Sequence, residues 1–215
     1  GGSKNEFGEI IMPEKTESTA RGLRVDASEK GSADIGDGEN AFRPAQIDAN
    51  GVMFRSIIDG SAHYFTPEKS IQIQNDIGAD IIFAFDECTS PHEPLRYQQE
   101  AMDRTHRWAK RCLEYHHAIN ESTGRPRSEM NSETNGARQA LFAVVQGGRY
   151  EQLRKESAQI LSDMSVETKD ADGNIVRREF DGFGIGGSFA KEDMESAVKW
   201  VNEILPENKP RHLLG

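Results

Sequence analysis

The pattern of apolar and polar positions divides the chain near residue 50. Residues 1–50 are polar, rich in Gly, Asp, Glu, Lys and Ser, and read as a flexible arm or insertion without a sustained apolar period. From Gly51 the pattern changes. Val52 to Ile58 reads as a strand closed by the turn signal Asp59-Gly60. Thr66-Pro67-Glu68-Lys69 opens a helix, with Thr as N-cap, Pro in the first turn and Glu near the positive end of the dipole. Gly78 is placed to end it. Ile81 to Asp86 is a short apolar run, followed by a helix over about 98–118 with Ala101, Thr105, Trp108, Cys112 and Tyr115 as its inward stripe. Residues 120–136 read as a solvated loop. Ala140 to Gln146 is the second run, and a helix over about 150–164 buries Leu153, Ile160, Leu161 and Met164. Lys169 to Asn174 is a turn insertion and Phe180 to Gly187 the third run. Met194, Ala197, Val198, Val201, Ile204 and Leu205 stripe a further helix that Pro206 stops, and Leu213-Leu214 begins a fourth, buried run.

Apolar runs alternating with amphipathic helices imply βαβ units, and strands apolar on both faces imply a parallel sheet covered by helices. An open doubly wound sheet and a (β/α)-barrel both fit this rhythm.

Charge and cysteine content narrow the chemistry. A net charge of -10 gives no overall electrostatic footprint for nucleic acid, so RNA contact requires a local basic patch or residues outside this chain. Arg104, Arg107, Lys110 and Arg111 offer one basic helix face, and His116-His117 beside them reads as solvated surface. Cys88 and Cys112 have neither C-x-x-C nor metal-ligand spacing, which argues against a disulfide scaffold or a zinc site and for a reduced, cytoplasmic setting. No apolar run is long enough to span a bilayer. A first residue of Gly and a final strand-like run that stops at once suggest a truncated segment.

The chemistry gathers where the runs end. Three finish abruptly in Asp86-Glu87-Cys88-Thr89, Gln146-Gly147-Gly148 and Gly184-Ile185-Gly186-Gly187-Ser188. In either architecture strand ends and the loops after them build the site. Asp86 supplies two acceptor oxygens and Gln146 amide donors and an acceptor, while Gly186-Gly187 lets backbone N–H groups approach a ligand. A guanine edge, with two adjacent N–H donors beside a carbonyl, needs this complement. Plainer readings compete: Asp86 as a cap or loop hydrogen-bonder, Gln146-Gly147-Gly148 as a turn, and Cys88 as a small buried residue rather than a nucleophile.

The segments Gly51-Val52-x-Phe54-Arg55-Ser56, Asp59-Gly60-x-x-His63, Thr66-Pro67-Glu68-Lys69-Ser70, Ala84-Phe85-Asp86-Glu87-Cys88-Thr89, Arg107-Trp108-Ala109-Lys110-Arg111, Val145-Gln146-Gly147-Gly148, Ile185-Gly186-Gly187 and Leu205-Pro206-x-x-Lys209-Pro210-Arg211 occur in this order. From about Gly51 to Gly215 the chain resembles the tRNA-guanine transglycosylase (queuine tRNA-ribosyltransferase) family. The resemblance implies a (β/α)8 TIM-type barrel, present here in part as residues 51–215. The implied activity exchanges the wobble guanine of tRNA anticodons for a 7-deazaguanine in queuosine biosynthesis, by double displacement at the anomeric carbon. By the resemblance Asp86 would hold the N–H edge of the base, Gln146 and the Gly187 N–H would bind its carbonyl, and Cys88 would line the pocket. Ser188 would read the deazapurine substituent through its carbonyl with Glu192 close behind, and Leu214 would pack on the base. The family's two catalytic aspartates lie outside this chain, one before Gly1 and the nucleophile beyond Gly215, as do its Cys/Cys/Cys/His zinc ligands.

The expected function is therefore the base-binding part of such an enzyme, inactive by itself, with tRNA and guanine or a 7-deazaguanine as partners in a homodimer or heterodimer, and no membrane. A non-catalytic partner subunit is the alternative, and an unrelated barrel enzyme using Asp86 as a base is a third reading.

Overall fold

The structure, a computed structural model, describes residues 45–122, 139–169, 173–187 and 193–214. The chain divides into two compact units, Gly1–Ala45 and Gln46–Gly215. Residues 1–44, the expected loop from residue 123 to 136, the centre of the 169–174 turn, Ser188 and Glu192 lie outside the described residues.

A small antiparallel sheet comes first, in the order β1 (Ala45–Ile47), β2 (Val52–Arg55), β3 (Ala62–Phe65). The strand expected over 52–58 ends at Arg55, and the turn that follows leads into β3, so that β2 and β3 form a hairpin. The chain turns at Ser56, whose Oγ accepts from the N–H groups of Ile58 and Asp59, and β3 brings His63 back to stack on Phe54 and Phe65 to meet it edge-on. β1 falls within the stretch expected to be an arm.

Helix α1 (Pro67–Ile77) begins and ends as its sequence predicts. Thr66 Oγ1 accepts from the Lys69 N–H, and Gly78 closes the helix in the left-handed region at φ 78°. β4 (Ile81–Phe83) follows, then α2 (Leu95–Ser122), β5 (Ala140–Val145), α3 (Glu151–Asp163), a hairpin of β6 (Ser165–Lys169) and β7 (Ile175–Glu179), β8 (Gly182–Ile185), α4 (Met194–Asn202) and β9 (Arg211–Leu213). β4, β5, β8 and β9 form one wholly parallel sheet in that spatial order.

That order is consistent with part of a (β/α)-barrel. A doubly wound sheet reverses its strand order at a switch point, whereas these four strands run in chain order from one edge to the other. The fold is mixed α/β with the parallel arc that part of a TIM-type barrel requires.

The two faces of the arc differ. Toward the helices, Ile82, Leu141, Ala143, Val145, Phe183 and Ile185 form one core with Ile71, Ala109, Cys112, Leu113, Ala158, Leu161 and Val201. On the other face Phe83 and Phe142 meet edge-on at 5.7 Å, and Phe83 reaches His212 at 5.7 Å. β8 contributes no side chains there, since Gly182 and Gly184 alternate on that face. A Cβ at Gly182 would stand 2.5 Å from the Phe142 ring, and one at Gly184 would touch Phe83 and Leu214. Large neighbours cover a glycine floor.

Several expectations fail for identifiable reasons. His116 and His117 are buried, not solvated, because α2 is packed between α1 and α3 and the β6–β7 hairpin lies against it. Sequence reading saw only the turn of that hairpin, whose strands Ser165–Lys169 and Ile175–Glu179 are polar on both sides. Ile160 is 37% exposed, facing outward from α3. Among the described residues β9, expected to be buried, stands at one edge of the sheet, with His212 and Leu213 exposed. The basic face of α2 is partly consumed internally. Arg104 is paired with Glu87, and Arg111 makes a bidentate pair with Glu68, with Nε and Nη2 each at 2.7 Å from a carboxylate oxygen.

Candidate functional site

The carboxyl ends of β4, β5 and β8 bring Asp86, Gln146 and Gly187 together. Gln146 Nε2 donates to Asp86 Oδ2 at 2.6 Å, joining the loops after two neighbouring strands. Gln146 Oε1 points toward Gly187, where it would stand 3.0 Å from a Cβ built on that residue, and it is buried without a hydrogen-bond partner. Gly187 itself is held at φ 93°, a conformation that favours glycine, so the backbone can present itself at this point. Leu214 follows β9 with its N–H on the Ile185 carbonyl at 3.1 Å and its side chain over Gly184, on the same face as Gln146.

Asp86 is an unusual acid. The residue is only partly buried, but its carboxyl is enclosed enough that desolvation raises it from 3.8 to about 6. The Gln146 hydrogen bond opposes that rise and the neighbouring Glu87 charge adds to it.

The loop carrying Asp86 is laced to α2 by three side chains spaced seven apart. Cys112 Sγ accepts from the Phe85 N–H at 3.3 Å, Thr105 Oγ1 from the Glu87 N–H at 3.0 Å, and Gln98 takes the Thr89 hydroxyl at 2.5 Å while donating to the Ser90 carbonyl at 2.6 Å. Thr105 and Cys112 belong to the inward stripe, so the polar members of that stripe serve as hooks. Glu87 is buried beneath the loop, paired with Arg104 and accepting from Tyr97 Oη at 2.7 Å. Phe85 stacks on Trp108 at 5.0 Å.

Cys88 is exposed, which corrects the expectation of a small buried residue. It lies near enough to Arg154 to influence that guanidinium electrostatically. Cys112 is the buried cysteine, and burial pushes its thiol up to about 12, so it is inert at neutral pH.

Two contributors escaped the sequence reading. Arg154, on the first turns of α3, is fully buried and reaches back under the strand ends. Ser157, one turn further on, accepts from the Gln146 N–H at 3.3 Å and contacts His106 Nε2 at 2.9 Å. Burial lowers His106 to about 4, which keeps that imidazole neutral at pH 7. Their spacing of three places both α3 residues on one helix face, but a polar pair there reads as solvent-facing in the sequence.

Among the described residues no group of three or more His, Cys, Asp or Glu side chains is placed to hold a metal ion, and no helix is long and apolar enough to cross a membrane.

These features define an α/β protein whose polar cluster, a carboxylate beside an amide beside a glycine peptide, stands at the carboxyl ends of parallel strands. A family model described as queuine tRNA-ribosyltransferase matches residues 35–215. The queuine tRNA-ribosyltransferase of Natranaerobius thermophilus is 41% identical over 173 residues, covering 79% of this chain and 38% of the relative. That of a Thermoanaerobacter species is 42% identical over 173 residues, covering 79% and 38%. An Archaeoglobus fulgidus protein provisionally given the same name is 42% identical over 173 residues, covering 80% and 35%. The chain belongs to the queuine tRNA-ribosyltransferase family, and it spans little more than a third of the length of these relatives.

Proposed function

We propose that this chain is the base-recognising part of a tRNA-guanine transglycosylase, and that its pocket takes guanine or a 7-deazaguanine. The observation that carries the proposal is the 2.6 Å contact between Asp86 and Gln146 at adjacent strand ends, with Gly187 beside them. An ionised Asp86 accepts from the two adjacent N–H groups of guanine. The second N–H of Gln146 Nε2 and the N–H of Gly187 then face the base carbonyl. A base with the reversed pattern would leave these buried groups unpaired, which is a strong basis for rejection. Leu214 covers the base from the glycine floor, and Ser188 with Glu192 reads the deazapurine substituent. Cys88 lines the pocket.

The reaction proposed for the whole protein replaces the wobble guanine of tRNA through a covalent intermediate. In it this chain's residues orient the departing and arriving bases, and the nucleophilic and second catalytic aspartates come from beyond the chain. The zinc site is likewise assigned to residues beyond it, and the working protein to a homodimer or heterodimer acting on tRNA in the cytoplasm. Calorimetry with guanine on the intact protein tests the pocket: Asp86→Ala is expected to abolish measurable binding, and unchanged affinity would remove the assignment. The 215-residue chain alone is expected to incorporate no labelled guanine into tRNA, and measurable incorporation would overturn the division of labour.

A further inference from the structure

Arg154 has a geometry that the base-reading trio does not explain. Its guanidinium turns away from solvent and collects backbone carbonyls: Nε donates to Gly148 at 2.8 Å, and Nη1 to Val145 at 3.1 Å and to Gly186. Desolvation lowers its pKa to about 10, so it remains a cation at neutral pH. The packing is close. A Cβ on Gly187 would lie 2.7 Å from Nη2, and one on Gly147 would lie 2.7 Å from the Arg154 backbone nitrogen.

Two of those carbonyls share a peptide unit with a pocket residue. The Val145 carbonyl belongs to the peptide that ends in the Gln146 N–H, and the Gly186 carbonyl to the peptide that ends in the Gly187 N–H. In a planar trans peptide these two ends point in opposite directions. The Val145–Gln146 peptide is pinned at both ends, by Arg154 at its oxygen and by Ser157 at its N–H. Arg154 grips the Gly186–Gly187 peptide at its oxygen, which fixes the N–H on the opposite side. A cationic donor on the oxygen also polarises the peptide and strengthens its N–H as a donor.

We propose that Arg154 is a positioning residue that holds the Gly186–Gly187 peptide with its N–H toward the base carbonyl, and thereby sets the preference for a purine bearing an oxygen at that position. The proposal rests on the reading of the pocket as a guanine site.

The test compares guanine with 6-thioguanine, which keeps both N–H groups that face Asp86 and exchanges the carbonyl oxygen for a sulfur that accepts hydrogen bonds weakly. Dissociation constants for both are measured by calorimetry on the intact protein, for wild type, Arg154→Met and Arg154→Lys. Wild type should favour guanine. In Arg154→Met guanine should weaken roughly tenfold, the loss expected for one charge-supported hydrogen bond, while 6-thioguanine changes little, so the ratio contracts. Arg154→Lys, with a compact charge that cannot fork across several carbonyls, should give an intermediate ratio, and it carries the test by itself where Arg154→Met does not fold. A merely structural role would weaken both bases together. A variant that keeps the full wild-type ratio overturns the role of Arg154. A wild type that binds neither base overturns instead the guanine reading on which it rests.

Discussion

Replacing Asp86 by Asn removes a charge and almost no volume, and so isolates what that charge costs the fold. Burial holds the Asp86 carboxyl at about 6, against 3.8 for an unperturbed aspartate. By linkage, the folded protein binds this proton more tightly than the unfolded chain does. The protonated carboxyl therefore contributes stability that is fully present below pH 3.8 and is lost as pH rises through 6. The size of that loss is about 3 kcal/mol, taking about 1.4 kcal/mol for each tenfold difference in proton affinity. Asn has no proton to lose, and its side-chain oxygen still accepts from Gln146. The assay is urea unfolding of wild type and Asp86→Asn at pH 4, 5, 6 and 7. The stability of the variant relative to wild type should climb by up to about 3 kcal/mol across that range, most of it between pH 4 and 6. Working with the change across pH cancels any constant difference between the two side chains. A difference that stays flat with pH would refute the enclosed-carboxylate account of the site. The gain in stability should come with loss of guanine binding, because the amide presents an N–H donor where the base presents its own.

Guanine binding to the wild-type protein should weaken as pH falls below about 6, approaching tenfold per pH unit, since the acid form of Asp86 cannot accept from both N–H groups. A calorimetric pH series checks this, and pH-independent affinity between 4.5 and 7 would contradict it. Gly186→Ala puts a Cβ 2.4 Å from Val144 Cγ1. Overpacking at that contact should cost roughly 1–3 kcal/mol in urea unfolding, and an unchanged midpoint would show that the strand end is looser than its geometry implies.

What the sequence made legible follows from how each feature is encoded. Helix α1 carries its start and stop in local chemistry, Thr66 and Pro67 at one end and Gly78 at the other. Thr105, Trp108 and Cys112 announce the buried face of α2 by spacing alone. Asp86, Gln146 and Gly187 were visible because polar residues interrupt apolar runs abruptly, and the structure does bring them to one place. The barrel-like strand order was not legible, since a βαβ rhythm is the same whether the next strand is added to one edge of a sheet or to the other. The β6–β7 hairpin was missed because its strands have too few apolar positions to show a period of two, and its absence from the reading left His116 and His117 assigned to solvent.

Arg154 shows why a site is harder to read than a fold. Hydrophobic periodicity identifies what a helix buries when the buried group is apolar, and it assigns an arginine in the first turns of α3 to water by default. Here the arginine is fully buried and donates to the backbone carbonyls of Val145, Gly148 and Gly186. Carbonyls are present at every residue and leave no mark in the sequence, so the partners of Arg154 were invisible even though the residue itself was in view. On the sequence, Gly186 and Gly187 have the task of letting a ligand approach the backbone, and Gly147 is part of a turn. The structure adds a second reason for Gly187 and for Gly147, because a Cβ at Gly187 would meet the Arg154 guanidinium and one at Gly147 would meet the backbone of Leu153 and Arg154. Gly187 and the buried cation thus pack as one unit, whereas Gly147 is required by the backbone of α3 whatever side chain stands at position 154.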